Sequence, residues 1–343
     1  MLDNEKITIH SYDKIYDFLN QNLLVSKLEM KRSIKPDKIP YHQSVFHFLL
    51  YYAHTPKIPF LLLYDEQIIF ACIHKKNEIT LEISFPEIFK SLKAKKVIET
   101  LLADEHFKLF LEEINISTIL FRDAPDGIVQ QLRSSDEFGV FHLGSIKEIN
   151  YQIYGVKRTL AHIGKQYANL RWHLNKFKKD KHRIESVPLQ ENKKAVIHLI
   201  GSWKKKAIEQ RGFSFINVRS DKLAAELFDS SKQITNNKEI LIPQVSDCLS
   251  RVLKVDGQIR SFQFGFPLGI YEKQNVFAHA IGITDLSIPH LAEYAQYNYW
   301  MQIHKQGYAY VNDGPSWKSS LEVFKQKFRP IAKKRTYYLG LKQ

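Results

Sequence analysis

The last third of the chain carries a series of apolar segments whose order constrains the fold more than any other feature of the sequence. Apolar runs, helical spacings and turn residues divide this region into six elements. They are strands at residues 259–266, 276–284, 308–311 and 336–341, and helices at residues 291–305 and 321–328. A loop at residues 267–275 joins the first two strands, and a turn at residues 312–315 follows the third. The order strand, strand, helix, strand, helix, strand predicts a sheet flanked by helices.

The first part of the chain also alternates between strands and helices. Two apolar runs within residues 58–72 meet at Asp65 and Glu66, which predicts a hairpin, and residues 79–85 form a further strand pattern. Residues 86–111 have mainly helical spacing. We therefore assign the α+β class, with mixed central sheets flanked by helices. The 343 residues suggest two domains, placed at 1–145 and 146–343 because polar turns interrupt the pattern near 139–150.

The charge of the chain changes sign near the same position. Residues 1–150 contain 18 Lys and Arg against 21 Asp and Glu, whereas residues 151–343 contain 32 against 15, a net charge of +17. A basic excess of this size favours a polyanionic partner such as RNA, or contact with the surface of an anionic membrane. A basic domain without such a partner is the alternative.

Cysteine usage and the start of the chain favour a cytoplasmic protein with no transmembrane segment. The two cysteines, Cys72 and Cys248, are too few for a disulfide framework or a four-cysteine zinc site. The opening Met-Leu-Asp-Asn-Glu-Lys lacks the basic flank and apolar run of a signal peptide. No apolar run approaches the roughly 20 residues that a spanning helix needs.

Residues 156–183 combine an apolar face with a basic one. Six apolar side chains recur at helical steps and predict a single helix: Leu160, Ile163, Tyr167, Leu170, Leu174 and Phe177. The opposite face carries Arg158, Lys165, Lys176, Lys179 and Arg183, arranged around Trp172. Cations interleaved with an aromatic side chain are typical of a surface that follows a phosphate backbone. A solvated outer helix has the same composition, so both interpretations stay open.

Several catalytic signatures are absent from the sequence. It contains no Walker-type phosphate loop, no G-x-G-x-x-G, no G-x-S-x-G and no H-E-x-x-H. The NTPase, Rossmann dehydrogenase, serine hydrolase and zinc protease classes therefore lack their usual support. The 14 histidines show no metal-ligand spacing, so we expect no metal site. His279, on an apolar strand, is expected to be a hydrogen-bonded core residue.

Three stretches of the second part carry a family resemblance. The first is residues 164–171, Gly-Lys-Gln-Tyr-Ala-Asn-Leu-Arg, with Asn175 and Lys176. The second is Trp203 with residues 212–215, Gly-Phe-Ser-Phe. The third runs from 307–312, Gly-Tyr-Ala-Tyr-Val-Asn, through 324–330, Phe-Lys-Gln-Lys-Phe-Arg-Pro, to 335–337, Arg-Thr-Tyr. In order and spacing across residues 150–343 they resemble the C-terminal catalytic domain of the bacterial phosphatidylglycerol lysyltransferase family.

This resemblance implies tandem GNAT-like domains, the acyl-CoA N-acyltransferase-like or Fem-type fold, in a soluble aminoacyltransferase. Such an enzyme passes an aminoacyl group from aminoacyl-tRNA to an amine or hydroxyl acceptor and uses no further cofactor. The family's lipid-acting members also carry a transmembrane region, which is absent here, so a phospholipid acceptor is not implied. The family's Asp-Leu-x-Arg stretch reads Asp285-Leu286-Ser287-Ile288 in this chain, without the arginine.

Aminoacyl transfer needs a polarised carbonyl, a deprotonated acceptor and a cationic clamp for the tRNA end. For the clamp we select five cations: Lys165, Arg171, Lys176, Lys325 and Arg329. Asp285 and Asp313 are the acidic candidates for proton transfer or for holding the amino group of the donor, and Asn312 shares the turn of Asp313. Ser214 is either a hydroxyl in the substrate cleft or the start of a strand.

Two other functions stay open. One is an acyl-CoA-dependent N-acyltransferase, with coenzyme A as the donor in place of aminoacyl-tRNA. Such enzymes commonly cradle a pyrophosphate with a glycine-rich loop, and no glycine occurs between Gly282 and Gly307. The other is a non-catalytic RNA-binding module, which the missing arginine near Asp285 permits.

Overall fold

The computed structural model describes residues 8–10, 33–34, 57–64, 67–75, 78–84, 91–124, 127–133, 142–211, 248–316 and 319–342. Thirteen strands lie within these residues: β1 Thr8–His10, β2 Ser33–Ile34, β3 Lys57–Tyr64, β4 Gln67–Lys75, β5 Ile79–Ser84, β6 Thr118–Ala124, β7 His142–Gly155, β8 Ile184–Val187, β9 Leu249–Val255, β10 Gln258–Tyr271, β11 Gln274–Thr284, β12 Tyr310–Pro315 and β13 Ala332–Lys342.

The same residues contain eight α-helices. They are α1 Ser91–Ala103, α2 Glu105–Ile114, α3 Ile128–Arg133, α4 Val156–Ala161, α5 Ala168–Lys179, α6 Leu189–Arg211, α7 Leu291–Lys305 and α8 Ser319–Gln326. A single 3₁₀ turn, Lys165–Tyr167, precedes α5.

One compact unit comprises Met1–Lys27, Lys38–Tyr151 and Lys334–Gln343. Its strands follow the order β1-β3-β4-β5-β6-β13. β3 and β4 form an antiparallel hairpin, whereas β5 and β6 run parallel because α1 and α2 carry the chain back between them. Asp104 begins α2 as its N-cap, since its Oδ1 accepts from the Phe107 amide at 2.8 Å. The core of this unit includes Leu81, Ile98, Leu101, Phe107, Ile119, Phe121 and Leu339.

The other compact unit comprises Leu28–Asp37 and Gln152–Lys333. Its strands follow the order β12-β11-β10-β9-β8, and β2 pairs with the end of β10. Neighbouring strands are antiparallel from β8 to β11, whereas β11 and β12 are parallel and α7 forms the crossover between them. The buried face of α7 packs into a core that includes Tyr154, Tyr167, Leu170, Phe277, Tyr299, Trp300, Ile303 and Phe328.

These units confirm the α+β class, since each contains parallel and antiparallel pairs with helices packed on the sheet. The expected loop at 267–275 is wrong, because β10 and β11 continue to a two-residue turn at Glu272 and Lys273, which both have positive φ. The expected turn at 312–315 lies within β12. The change of unit between Tyr151 and Gln152 falls inside β7, six residues after the expected boundary, and the closing strand groups with the first unit from Lys334 onward.

The single helix expected over residues 156–183 is also wrong. α4 ends at Ala161, where His162 adopts the left-handed conformation with φ 37°, and Gly164 has φ 95°. The chain then makes the 3₁₀ turn and begins α5 at Ala168. Tyr167, Leu170, Leu174 and Phe177 are buried as predicted, whereas Ile163 is 76% exposed because it lies in the break. None of the helices in the described residues is both long enough and apolar enough to cross a membrane.

Candidate functional site

The parallel strands β11 and β12 separate near their centres. They pair at Val276 with Tyr310, at Phe277 with Val311 and at Ala278 with Asn312. Beyond this point, β11 continues beside β10 up to Thr284, without further pairing to β12 among the described residues. The next residues on the two strands are His279 and Asp313. Crevices at the carboxyl ends of parallel strands are the usual ligand sites of such sheets.

His279 and Asp313 form a buried pair at this separation. The Nδ1 atom of His279 lies 3.1 Å from Asp313 Oδ1, and the Nε2 atom lies 2.8 Å from Gln263 Oε1. The indole Nε1 atom of Trp300 also lies 3.3 Å from His279 Nδ1. The ring is therefore fixed from several directions, which confirms the expectation that His279 is a hydrogen-bonded core residue.

Asp313 is held as a carboxylate by its neighbours. Burial by itself raises the pKa of Asp313, but the charge of Lys325 and the hydrogen bonds from His279 and Gln296 outweigh it, so the pKa is lowered. Gln296 donates to Asp313 Oδ2 at 3.3 Å. Because the carboxylate is the favoured form, Asp313 is suited to binding a cation and poorly suited to accepting a proton.

Lys325 is not a surface clamp for phosphate, and that expectation is corrected. Its side chain is 4% exposed and lies 3.9 Å from Asp313 Oδ2. Its ammonium donates to the carbonyl oxygens of Asp313, Gly314 and Pro315, the last two at 3.0 and 3.3 Å. Burial lowers the pKa of Lys325, and the charges of Asp313 and Glu322 act in the opposite direction. Every donor position of this ammonium faces the protein, so none is left for a nucleic acid.

Asn312 places an unpaired donor beside the buried polar cluster formed by His279, Asp313 and Lys325. Its Oδ1 accepts the Gly314 amide at 3.0 Å, which fixes the orientation of the side-chain amide. Asn312 is fully buried, and its Nδ2 has no hydrogen-bond partner among the described residues. Leaving a buried N–H unpaired costs about 1–3 kcal/mol, so this atom is a candidate ligand contact.

The cluster continues on side chains that local sequence patterns do not single out. Gln152 donates to Glu322 at 2.5 Å and accepts from the Tyr154 hydroxyl at 2.6 Å. Burial raises the pKa of Tyr154 well above its ordinary value, and the charges of Asp313 and Glu322 add to the effect. Sequence reasoning missed Gln152, Gln263, Gln296 and Tyr154, because an isolated Gln or Tyr on a strand or helix carries no signature.

Asp285 lies just after β11, as expected, and is saturated by donors. Its Oδ1 accepts from the Ser287 amide at 2.9 Å and the Ser287 hydroxyl at 2.7 Å, with Lys206 at 3.4 Å, and Arg260 contacts Oδ2. Burial raises the pKa of Asp285, but the hydrogen bonds from Ser287 and the charges of Lys206 and Arg260 outweigh it and hold the pKa at about 2. A carboxyl group with this pKa is a weak proton acceptor.

A cationic loop precedes α5. Arg171 donates to the carbonyl oxygens of His162 and Gly164 at 2.6 and 2.7 Å, and Arg329 donates to the Gln166 carbonyl at 2.5 Å. Lys165, between the held carbonyls of Gly164 and Gln166, is exposed, as is Arg329. We call residues 162–166 with these two arginines the cationic loop. It brings together three of the five predicted clamp residues from distant parts of the chain.

The fourth clamp residue, Lys176, lies further along α5. Its ammonium is 5.9 Å from the ring centroid of Trp172, which is 51% exposed. Lys176 and Trp172 therefore form an accessible cation and aromatic pair, as the predicted basic face requires. Ser214, the cleft candidate, lies outside the described residues, as does the 212–215 part of the family resemblance.

A crystal structure similar to this chain is a conserved protein of unknown function from Bacteroides thetaiotaomicron, with a TM-score of 0.63, 15% identity and coverage of 98% of this chain and 100% of that one. L-PGS from Bacillus licheniformis aligns with a TM-score of 0.48 and 13% identity over 89% of this chain and 93% of that one. A tandem GNAT protein from the clavulanic acid biosynthesis pathway aligns with a TM-score of 0.48 and 8% identity over 98% of both chains.

No family model and no curated protein matches the sequence. The first alignment shows a shared fold over nearly the whole of both chains, and at 15% identity it shows the fold alone. TM-scores of 0.48 are too low for the other two alignments to assign a function.

Proposed function

We propose that this protein transfers an aminoacyl group from aminoacyl-tRNA to an amine or hydroxyl acceptor. The observation that carries the proposal is the segment 324–330, which connects the buried polar cluster to the cationic loop. Lys325 contacts the backbone of β12 at Asp313, and four residues later Arg329 holds Gln166. An aminoacyl-tRNA presents an ester carbonyl at the end of a polyanion, so its recognition needs a polar acyl site joined to a cationic surface.

Asn312 and Asp313 are suited to the acyl part of the donor. The unpaired Nδ2 of Asn312 would donate to the ester carbonyl oxygen, whose negative charge grows as the acceptor attacks. Asp313, as a carboxylate with acceptor capacity left beside His279 and Gln296, would bind the ammonium of the aminoacyl group. His279 and Gln296 are positioning residues in this scheme, because they hold Asp313 and do not meet the donor.

The bonds and protons of the transfer step are accounted for by the donor and the acceptor alone. The acceptor nitrogen or oxygen bonds to the carbonyl carbon of the aminoacyl ester, and the bond from that carbon to the ribose oxygen of the tRNA breaks. The acceptor loses a proton and the ribose hydroxyl gains one. The low pKa of Asp285 and the lowered pKa of Asp313 favour charge stabilisation as their role in this step over proton transfer.

The polyanionic part of the donor fits the cationic loop and the exposed pair on α5. Lys165 and Arg329 offer charge-assisted hydrogen bonds to phosphate oxygens, and Trp172 offers a ring on which a base can stack. The net charge of +17 over residues 151–343 supports a polyanion as the partner.

The test is transfer of label from a mixed pool of charged tRNAs to a clarified cell extract, with labelled acetyl-CoA in a parallel reaction. We expect label to move from tRNA and the transfer to stop after RNase treatment. Transfer from acetyl-CoA alone would identify an acyl-CoA-dependent enzyme and reject the proposal. Transfer from neither donor, with tight tRNA binding, would identify an RNA-binding module.

Single variants then test the roles of the acyl site and of the cationic loop separately. Asn312→Asp keeps an acceptor for the Gly314 amide and removes the unpaired donor, so kcat should fall by about 10²–10³ with tRNA affinity retained. Lys165→Ala should weaken tRNA binding and lower the slope of log affinity against log salt by about 1. Lys305→Ala removes an exposed lysine at the end of α7 and is the matched control. Unchanged turnover in folded Asn312→Asp contradicts the assigned role.

A further inference from the structure

Two histidines and a glutamate of the second unit converge on one point outside the polar cluster. His173 lies in α5, His290 is the residue before α7, and Glu293 lies in the first turn of α7. The two Nδ1 atoms are 2.8 Å apart, and His173 Nδ1 is 3.3 Å from Glu293 Oε1. One ligand atom from each of the three side chains lies within 4.8 Å of the others.

We propose that His173, His290 and Glu293 bind a divalent transition-metal ion, for which zinc is the best match. Two imidazole nitrogens and a carboxylate oxygen form a donor set that zinc accepts with three protein ligands, a water molecule completing the tetrahedron. Zinc bonds of about 2.0–2.1 Å place neighbouring donors about 3.3–3.4 Å apart in a tetrahedron. The distance from His173 to Glu293 has this value, and the two Nδ1 atoms need to separate by about 0.5 Å.

The surroundings of the three side chains are those of a formed site. Trp172 covers both imidazoles in edge-to-face contacts, with ring centroids 4.8 Å from His173 and 5.0 Å from His290. The side chains of His173 and Glu293 are largely buried. Water therefore competes weakly for the ligand atoms.

Lys327 gives the site a testable electrostatic signature. Its ammonium lies 2.6 Å from Glu293 Oε1 and is thus an outer partner of a ligand carboxylate. A cation at this position orients Glu293 but repels a metal ion bound beside it. Removal of the charge by Lys327→Gln should therefore tighten metal binding, whereas loss of a purely structural ion pair would not.

The competing occupant of the site is a proton. Two neutral imidazoles with facing Nδ1 atoms at 2.8 Å can share one hydrogen bond, in which one ring donates and the other accepts. A protein that keeps this arrangement binds no metal there. Metal titration separates the two cases, because the shared hydrogen bond must break before both nitrogens can act as ligands.

The experiment titrates the full chain, freed of metal by a chelator, with Zn²⁺ by calorimetry and with Co²⁺ by visible absorption. We expect one equivalent of each ion, with the intense Co²⁺ bands of four-coordination. His173→Asn and His290→Asn should each weaken Zn²⁺ binding by more than about 100-fold. Lys327→Gln should strengthen it, because the repulsion between the Lys327 ammonium and the bound ion is removed. Asn tolerates the left-handed backbone of His290, and circular dichroism verifies the fold of each variant.

His304→Ala is the matched control, since His304 is an exposed histidine on the same helix. It should leave the affinity unchanged. The proposal is overturned if no saturable binding occurs or if binding survives both His173→Asn and His290→Asn. The outcome is independent of acyl transfer, because the readouts are metal affinity and the Co²⁺ spectrum.

Discussion

Replacement of Lys325 by methionine should lower the free energy of unfolding by about 3–5 kcal/mol, the usual cost of removing one partner of a buried ion pair. The Lys325 ammonium contacts three backbone carbonyls and lies 3.9 Å from Asp313 Oδ2. Methionine fills a similar volume without a donor. The variant therefore leaves three carbonyl oxygens and one buried carboxylate without their cation.

The pH dependence of this variant follows from Asp313. In the native protein the folded pKa of Asp313 is lowered from 3.8, with Lys325 the strongest cause of the lowering. Asp313 thus contributes stability that is fully present above its unfolded pKa and is lost as the pH falls through its folded pKa. Without Lys325 the folded pKa of Asp313 rises, so the ionised Asp313 contributes less stability to the variant near neutral pH. The deficit of the variant relative to the native protein should therefore shrink as the pH falls below 3.8.

The assay is urea unfolding at about pH 7 and at about pH 3. Lys305→Met, at an exposed position, should change the free energy of unfolding by less than about 0.5 kcal/mol. The pair Lys325→Met with Asp313→Asn should recover part of the loss, because the buried negative charge is removed with its partner. A loss below about 1 kcal/mol in Lys325→Met, together with loss of tRNA binding, would show instead that Lys325 is an accessible phosphate clamp.

Two further predictions concern the loop and the end of β11. Gly164→Ala should destabilise the protein by about 1–3 kcal/mol and weaken tRNA binding, because φ at Gly164 is 95° and a Cβ would lie 2.6 Å from Gln166 Oε1. Thermal unfolding and filter binding measure the two effects, and an unchanged melting temperature would contradict the reasoning. Asp285→Asn should lower the free energy of unfolding by about 2 kcal/mol near neutral pH. Because the folded pKa of Asp285 is lowered, the difference between variant and native protein should shrink as the pH falls from 3.8 toward about 2. Urea unfolding over that range tests this, and a difference that does not change with pH would rule out the charge of Asp285 as its source.

Local periodicity predicted the elements whose boundaries depend on neighbouring residues. The helix at 291–305 has the predicted limits, since its apolar spacing ends at Lys305 and Gly307 has a positive φ of 86°. The hairpin about Asp65 and Glu66 was likewise predicted from two apolar runs. In both cases the determining residues are adjacent in sequence, so the pattern alone suffices.

The features that the sequence did not predict depend on contacts between distant residues. The break at 162–164 is stabilised by Arg171 and Arg329, and the second of these lies 163 residues from its partner Gln166. The facing imidazoles of His173 and His290 are 117 residues apart, so no ligand spacing was visible. Lysine is mostly exposed in proteins, which made the buried Lys325 an unexpected member of the cluster.

The segment 324–330 places neighbouring side chains in several different environments. α8 ends at Gln326, and the amides of Lys327, Phe328 and Arg329 then bond to carbonyls three residues earlier, which tightens the chain. Arg329 adopts φ 56°, so the chain turns there before Pro330.

As a result, three side chains of this segment lie in different surroundings. Phe328 packs on Trp300 with ring centroids 5.1 Å apart, Lys325 reaches the buried carbonyls of β12, and Arg329 reaches the cationic loop at the surface. Two cations four residues apart would share a helix face if the helix continued. The end of the helix separates them, and this separation lets one segment serve both the acyl site and the tRNA surface of the proposed enzyme. A variant that extends α8 through Arg329 should therefore lose tRNA affinity while Lys325 keeps its contacts, which comparison of tRNA binding with urea stability would measure.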